Sequence, residues 1–133
     1  MELPVIEIAH RTVTEGGATF DIRTQNFVVP IDAWYYPHYP KITTIIPVPE
    51  QPAALSVFLS NNKNLLQEKD NYLGTWLNPK TQEVYLDITI CKNNLDKALT
   101  DAREISIEQG RKIVTIYNPY LKKTEYVWDD VTA

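Results

Sequence analysis

The chain has 133 residues, of which 44% are hydrophobic and 23% charged, and its formal net charge is −4. This length and composition predict one globular domain and exclude a disordered chain, and no stretch approaches the roughly 18 apolar residues of a membrane span. The start lacks the basic and apolar regions of a signal peptide, and a single cysteine excludes an internal disulfide or a multi-cysteine zinc site. We therefore expect a cytoplasmic protein that needs no cofactor and does not bind a membrane.

The first part of the chain is predicted to be extended. Leu3–Ile8 is rich in β-prone residues and predicts a strand, and Gly16-Gly17 predicts a tight turn. Ala18–Ile22 and Phe27–Ile31 flank a polar segment and predict a β-hairpin.

Aromatic residues are concentrated after this hairpin, where prolines exclude a helix and predict a loop. Tyrosine and tryptophan offer large contact areas at low entropic cost, so we predict that the loop binds a protein partner. The alternative is that the same side chains lie over the sheet and complete a small core. The residues assigned to this partner site are Trp34, Tyr35, Tyr36, His38 and Tyr39.

The middle of the chain predicts an extended segment followed by a helix. Lys41–Pro49 contains prolines that stop regular strand pairing. A helix is predicted over Pro52–Asn62, because proline suits a first helical turn and several apolar residues follow at helical spacing. We expect Leu65-Leu66 to pack in the loop beyond it.

The most strongly patterned stretch runs from Asn71 to Val127 and predicts a hairpin, a helix and a second hairpin. The last six residues are predicted to be frayed. The predicted elements are the strands Tyr72–Leu77 and Val84–Ile90, a helix capped by Asn93 or Asn94 and ended by Gly110, and the strands Lys112–Tyr117 and Lys122–Val127.

Together these patterns predict an α+β domain: a mostly antiparallel sheet of about six or seven strands, with two helices packed on one face. A faint internal repeat makes residues 1–70 and 71–133 a candidate pseudo-repeat within this single domain. Similar hairpins also arise from sheet physics without duplication, so both interpretations stay open. The matching pairs, 57 positions apart, are Gly17 and Gly74, Arg23 and Lys80, Thr24 and Thr81, Gln25 and Gln82, and Ile31 and Ile88.

Groups with catalytic chemistry are few and scattered. A cysteine and two histidines could form a nucleophile and base, but a buried structural thiol at a strand end is the stronger interpretation. Two of three strand-end aspartates could approach as an acid/base or metal-binding pair, but exposed turn carboxylates are the default. Phosphate-loop, zincin, CxxC and hydrolase-elbow motifs are lacking, so we predict no catalytic or metal site. These groups are Cys91, His10, His38, Asp21, Asp32 and Asp87.

A second aromatic group, Tyr120, Tyr126 and Trp128, lies near two lysines. Single-stranded nucleic acid could stack there, but two lysines and a negative net charge do not indicate nucleic-acid binding.

Four short motifs occur along the chain: Gly16–Asp21 (GGATFD), Tyr72–Trp76 (YLGTW), Val84–Asp87 (VYLD) before a helix, and Ile113–Tyr117 (IVTIY). Together they resemble small uncharacterised proteins carried by phages, plasmids and other bacterial mobile elements. The resemblance spans most of the chain and implies a genomic context, but it supplies no catalytic residues. The segment Trp34–Val48 departs from that group.

The leading hypothesis from the sequence is a non-enzymatic accessory protein that binds a macromolecular partner, for instance as an inhibitor of a bacterial defence system such as CRISPR. One alternative is a small hydrolase or transferase that uses Asp21, Asp87 or Cys91, for which a deep polar pocket would be the sign. Another is a homodimeric structural module formed by pairing of edge strands.

Overall fold

The computed structural model describes residues 4–128, which form one antiparallel sheet of eight strands with four α-helices. The predicted α+β class is confirmed, with more strands and helices than expected. The helices are α1 (Val5–Glu15), α2 (Gln51–Asn61), α3 (Lys63–Leu66) and α4 (Leu95–Gln109). The strands are β1 (Gly17–Asp21), β2 (Asn26–Phe27), β3 (Trp34–Pro37), β4 (Thr44–Pro47), β5 (Tyr72–Leu77), β6 (Glu83–Lys92), β7 (Thr115–Asn118) and β8 (Lys123–Tyr126).

The sheet is organised around β6, its longest strand. The strand order is β2-β1-β5-β6-β3-β7-β8, and β4 also pairs with β6. Strand β4 pairs with the first half of β6, and β3 pairs with the second half on the same side. The chain therefore leaves the sheet between Pro37 and Thr44, and a gap in the pairing opens beside the middle of β6.

All four helices cover the same face of the sheet. Along β6, Val84, Leu86 and Ile88 belong to a core that also contains residues of α1, α2 and α3. Ile90, the next residue of β6 that points to this face, packs in a second core beneath α4. Because side chains alternate across a strand, the intervening residues of β6 point to the opposite face.

The strand predicted over Leu3–Ile8 is wrong, because the chain is helical from Val5 to Glu15. The buried positions are Ile8, Ala9 and Thr12, whose spacing is helical, and the Thr12 hydroxyl lies 2.6 Å from that of Thr75 on β5. Tertiary packing has overridden local β propensity here. Leu3 lies outside the described residues.

The loop predicted over the aromatic segment is also wrong, because Trp34–Pro37 is strand β3. Trp34 and Tyr36 alternate into the core beneath α4, and both are buried. The prolines that follow end the strand instead of preventing it. Of the two interpretations that the sequence left open, burial of Trp34 and Tyr36 agrees with the one in which the aromatic rings complete a core, and this packing helps hold α4 on the sheet.

Several other elements agree with the sequence. Helices α2 and α4 lie within two residues of their predicted bounds, and the Asn94 side chain caps α4 by accepting from the Lys97 amide. The loop predicted at Leu65-Leu66 is instead the short helix α3, and two 3₁₀ turns, Pro40–Ile42 and Val48–Glu50, flank β4. The predicted frayed end falls outside the described residues except for Trp128, which is half-buried and donates to the Ile113 carbonyl at 3.0 Å.

Three hairpins use the same turn. In each, the first residue of the turn is Asp or Asn, and its side chain accepts from the backbone amide two residues later. The fifth residue then adopts a left-handed conformation. This shared chemistry accounts for the matches that lie within the turns, and a common origin of the hairpins stays a hypothesis. The pairs of first and fifth residues are Asp21 and Gln25 (φ 61°), Asn78 and Gln82 (φ 62°), and Asn118 and Lys122 (φ 55°).

Replacing Tyr36 by Phe is expected to lower the free energy of unfolding by about 1.5 kcal/mol, the usual size for a hydrogen bond to a charged group. The phenol of Tyr36 donates to an Asp101 carboxylate oxygen at 2.6 Å and thereby links β3 to α4. Urea denaturation measures the change, with Tyr120→Phe as the control because Tyr120 is exposed. Equal stability of the two variants would contradict this role.

Candidate binding groove on the open face of the sheet

The face of the sheet away from the helices forms a groove of about 570 Å³. This volume falls within the ~300–1,000 Å³ range of small-molecule sites. Residues of seven strands, β1 to β7, and of the C-terminal half of α1 line it, and the connection between β2 and β3 contributes a wall through Val28, Val29 and Pro30.

The groove is concave because the sheet curls. The ammonium of Lys80, in the turn between β5 and β6, lies 4.4 Å from the ring centre of Tyr126 on β8, although β3 and β7 separate these elements in the strand order. Across the groove, burial and the Glu15 carboxylate, at the end of α1, raise the pKa of Tyr117 on β7. Both ends of the strand order therefore contribute walls.

Asp87 occupies the centre of the groove floor. Its partner on β5 is Gly74, which has no side chain, and on its other side the chain has left the sheet between β3 and β4. Thr43 turns back into that gap, and its hydroxyl donates to the Asp87 carboxylate. The carboxylate therefore has no partner side chain from position 74 on the β5 side and a hydroxyl on the other.

Asp87 is 8% exposed, and burial raises the pKa of its carboxyl to about 6. The Thr43 hydrogen bond and the Arg111 charge act in the opposite direction but do not offset burial. Arg111 lies beside Thr43 and donates from Nη1 to the Thr43 carbonyl at 2.9 Å. Among residues 4–128, Asp87 forms no ion pair within 4.0 Å. At neutral pH it is an ionised group with incomplete compensation.

Aromatic pairs lie on both sides of Asp87 along β6. Trp76 and Tyr85 are direct partners whose rings meet edge to face at 5.2 Å. In the other direction, Tyr35 and Tyr72 pack edge to face at 6.3 Å. The open face thus presents flat apolar surface on both sides of a single carboxylate.

Gly74 is needed for the shape of this floor. A Cβ atom at this position would overlap the Thr89 hydroxyl and approach the Thr89 Cβ to 3.0 Å. The absence of a Cβ at Gly74 lets the Thr89 side chain lean across from β6 and cover this position next to Asp87.

The lining of the groove is basic although the protein is acidic. Four basic and two acidic residues give the lining a formal charge of +2, against −4 for the whole chain. The Glu15 carboxylate lies 3.7 Å from the Arg11 guanidinium, so these two charges largely offset each other. The other three basic residues lie near Asp87 or at the rim of the groove. The basic residues are Arg11, Arg111, Lys112 and Lys122.

The five residues predicted to bind a partner do not form an exposed loop. Trp34 and Tyr36 are in the core beneath α4, whereas Tyr35 points to the groove face. His38 and Tyr39 are half-buried and stack at 4.1 Å, and His38 Nδ1 lies 2.9 Å from the Asn71 side-chain oxygen. The assignment of partner binding to these residues stays a prediction, and the alternative that aromatic rings of this segment complete a core agrees with the burial of Trp34 and Tyr36.

The candidate catalytic residues are mostly separated. Burial raises the pKa of the Cys91 thiol, which disfavours a thiolate nucleophile. Asp21 accepts from the Arg23 amide in a turn, and Asp32 accepts from the Asn118 side chain. The expectation of exposed carboxylates holds for Asp32, but Asp87 is buried and only 14% of the Asp21 side chain is exposed. Within residues 4–128 no cluster of three His, Cys, Asp or Glu side chains could hold a metal.

The sequence contains a signal for part of this site that was not used in the predictions. In β6, Tyr85, Asp87 and Thr89 alternate with apolar residues, a pattern typical of a strand with one covered and one open face. Thr43 and Arg111 carry no such signal, because they reach Asp87 only through the folded chain.

Comparisons with protein-family models, curated proteins and solved structures found no match. None of the helices between residues 4 and 128 is long and apolar enough to cross a membrane.

Proposed function

We propose that this protein is a non-enzymatic binding module that seats its partner in the groove on the open sheet face. The observation that carries the proposal is Asp87, a buried carboxylate at the centre of an aromatic concave surface. A buried charge without an ion-pair partner costs folding stability, and ionisable groups with strongly shifted pKa values in concave sites are frequent at functional sites.

Other features of the groove support binding. Trp76 and Tyr85 remain half-buried and accessible, and aromatic side chains of this kind dominate the energetics of many binding surfaces. The exposed Val29 side chain, at 75% exposure, stands at the rim. A bound partner would cover this apolar surface.

The experiment compares two tryptophan variants as baits in a bacterial lysate, with bound proteins, nucleic acids and small molecules identified by mass spectrometry. In Thr19→Trp the new ring fills the groove, because Thr19 is the β1 partner of Gly74. In the matched control Thr100→Trp, the ring lies on the exposed side of α4. We expect the wild type and Thr100→Trp to retain one stoichiometric partner that Thr19→Trp loses. If folded Thr19→Trp still captures that partner, or if no bait captures a partner, the proposal that the groove binds the partner is refuted.

A second candidate is the hydrolase or transferase considered above, because the polar groove contains Asp87 with a pKa of about 6. A carboxyl of this pKa suits general acid–base catalysis near neutral pH. A screen of carboxylate and phosphate esters tests it, with Asp87→Asn as the inactive control. Turnover that persists in Asp87→Asn would exclude this role.

Three expectations from the sequence stay predictions: origin in a mobile element, inhibition of a bacterial defence system, and a protein as the partner. The homodimer alternative would use β2 or β8, the strands at the two ends of the sheet. Sedimentation at increasing concentration tests it, and a monomer throughout would exclude it.

A further inference from the structure

We propose that the groove binds a nucleotide, with an amino-bearing base beside Asp87 and the phosphate at the basic rim. The inference rests on the proposed function of the groove as a binding site and names the chemistry of its ligand. The same chemistry is offered by a free nucleotide and by one nucleotide of a single strand.

The base position follows from the floor of the groove. Only the Oδ1 atom of Asp87 accepts from Thr43, and among residues 4–128 no side chain or backbone group donates to Oδ2. A carboxylate is an acceptor with room for several donors, so it selects ring N–H and amino groups. Guanine presents two such donors side by side on its Watson–Crick edge, whereas uracil presents one beside two carbonyl acceptors that a carboxylate would repel. We therefore expect guanine to bind most tightly.

The aromatic pair supplies the second requirement, a surface for a flat ring. Trp76 and Tyr85 adjoin Asp87 and Gly74 by one step along β5 and β6 on the same face. Stacking of bases on such side chains is the main apolar contribution in single-strand recognition. A base stacked there would present its edge towards the carboxylate.

The rim supplies the third requirement, positive charge at some distance from the floor. Lys122 is exposed in the turn between β7 and β8 and supplies this rim charge, whereas Arg111 lies closer to the floor, where it donates to the Thr43 carbonyl. Charge-assisted hydrogen bonds from such residues are the usual means of holding phosphate. A cationic ligand also suits Asp87 but is opposed by the net positive lining, so charge complementarity favours an anionic ligand with a neutral, donor-bearing ring.

Calorimetric titration with GMP, AMP, UMP and a single-stranded RNA hexamer of sequence GAGAGA tests the proposal. We expect GMP to bind at least about tenfold more tightly than UMP, which corresponds to ~1.4 kcal/mol. A hexamer that binds much more tightly than GMP identifies a strand as the source, and equal affinities identify the free nucleotide. Both outcomes support the ligand class.

Two variants separate the parts of the site. Asp87→Asn is expected to abolish the preference for GMP over UMP, because an amide offers both a donor and an acceptor. Lys122→Glu is expected to lower the binding affinity for all nucleotides at least about threefold and to reduce the salt dependence of binding. Its matched control, Lys97→Glu on the exposed side of α4, should bind as the wild type does.

The outcomes distinguish the two proposals. Absence of binding by every nucleotide and by the hexamer at about 1 mM would overturn the nucleotide proposal. If Thr19→Trp nevertheless loses the partner captured from lysate, the groove remains a binding site for another class, such as a peptide. Nucleotide binding that is unchanged in Thr19→Trp, Asp87→Asn and Lys122→Glu would place the nucleotide elsewhere and also overturn the proposal.

Discussion

Asp87→Asn is expected to raise the free energy of unfolding at pH 7.5 by up to about 3 kcal/mol. The carboxyl has a pKa of about 6 in the folded protein, against ~3.9 in an unfolded chain. Between these values the folded state holds a proton that the unfolded state has released, so stability falls as pH rises from about 4 to about 6 and is then level. A neutral amide escapes this loss and can still accept from Thr43.

Urea denaturation of both proteins at pH 4.5 and pH 7.5 measures the effect. The stability difference between the variant and the wild type should grow between the two pH values, because other titrating groups contribute equally to both. As a control, Glu108→Gln removes the charge of an exposed carboxylate on α4, and its stability difference from the wild type should not grow between the two pH values. A difference that is the same at both pH values would mean that Asp87 does not carry the buried charge described here.

Gly74→Ala is expected to lower the free energy of unfolding by about 2 to 3 kcal/mol, within the range for overpacking a well-filled site. The added methyl would overlap Thr89, a β-branched residue whose own Cβ lies 3.0 Å away. Rotation of the Thr89 side chain about χ1 moves the hydroxyl away but leaves the close contact with the Thr89 Cβ.

A double-mutant cycle identifies the cause. Thr89→Gly removes the obstructing side chain, so Gly74→Ala combined with Thr89→Gly should be more stable than the sum of the two single changes predicts, by at least about 1 kcal/mol. Additive effects would show that the cost of Gly74→Ala arises elsewhere. Thermal denaturation of the four proteins provides the comparison.

The elements that the sequence predicted well have local causes. The Asn94 cap and Gly110 define the ends of α4 through backbone hydrogen bonding and left-handed geometry. The hairpin of β5 and β6 follows from an Asn-Pro turn between two apolar runs. In both cases the residues that specify the structure lie within the element itself.

The elements that were predicted wrongly are determined by contacts distant in sequence. Val5 and Ile6 favour a strand by propensity, but α1 is fixed by packing of Ile8 and Ala9 against the core of the sheet. The segment at β3 was assigned to a loop because of its prolines, yet its hydrogen-bonding partner is the far half of β6, more than 50 positions later. No window around Trp34 contains that partner.

In the candidate site, too, some features have local causes and others depend on contacts distant in sequence. The alternation along β6 could have placed Asp87 on an open face, because the polar side chains occupy every second position. The gap that admits Thr43 arises because β3 and β4 share one side of β6. This is a property of topology, and Arg111 reaches it from the connection between α4 and β7. The sequence could have indicated the carboxylate but not its surroundings.

The indole N–H signals of the three tryptophans offer the most direct test that the ligand sits on the open face. Trp76 lines the groove, whereas Trp34 and Trp128 pack in the core beneath α4. In a ¹H–¹⁵N spectrum recorded during titration with GMP, we expect a saturable shift of the Trp76 signal and little change in the other two. A shift of Trp34 or Trp128 with Trp76 unmoved, or no shift at any concentration, would contradict this expectation.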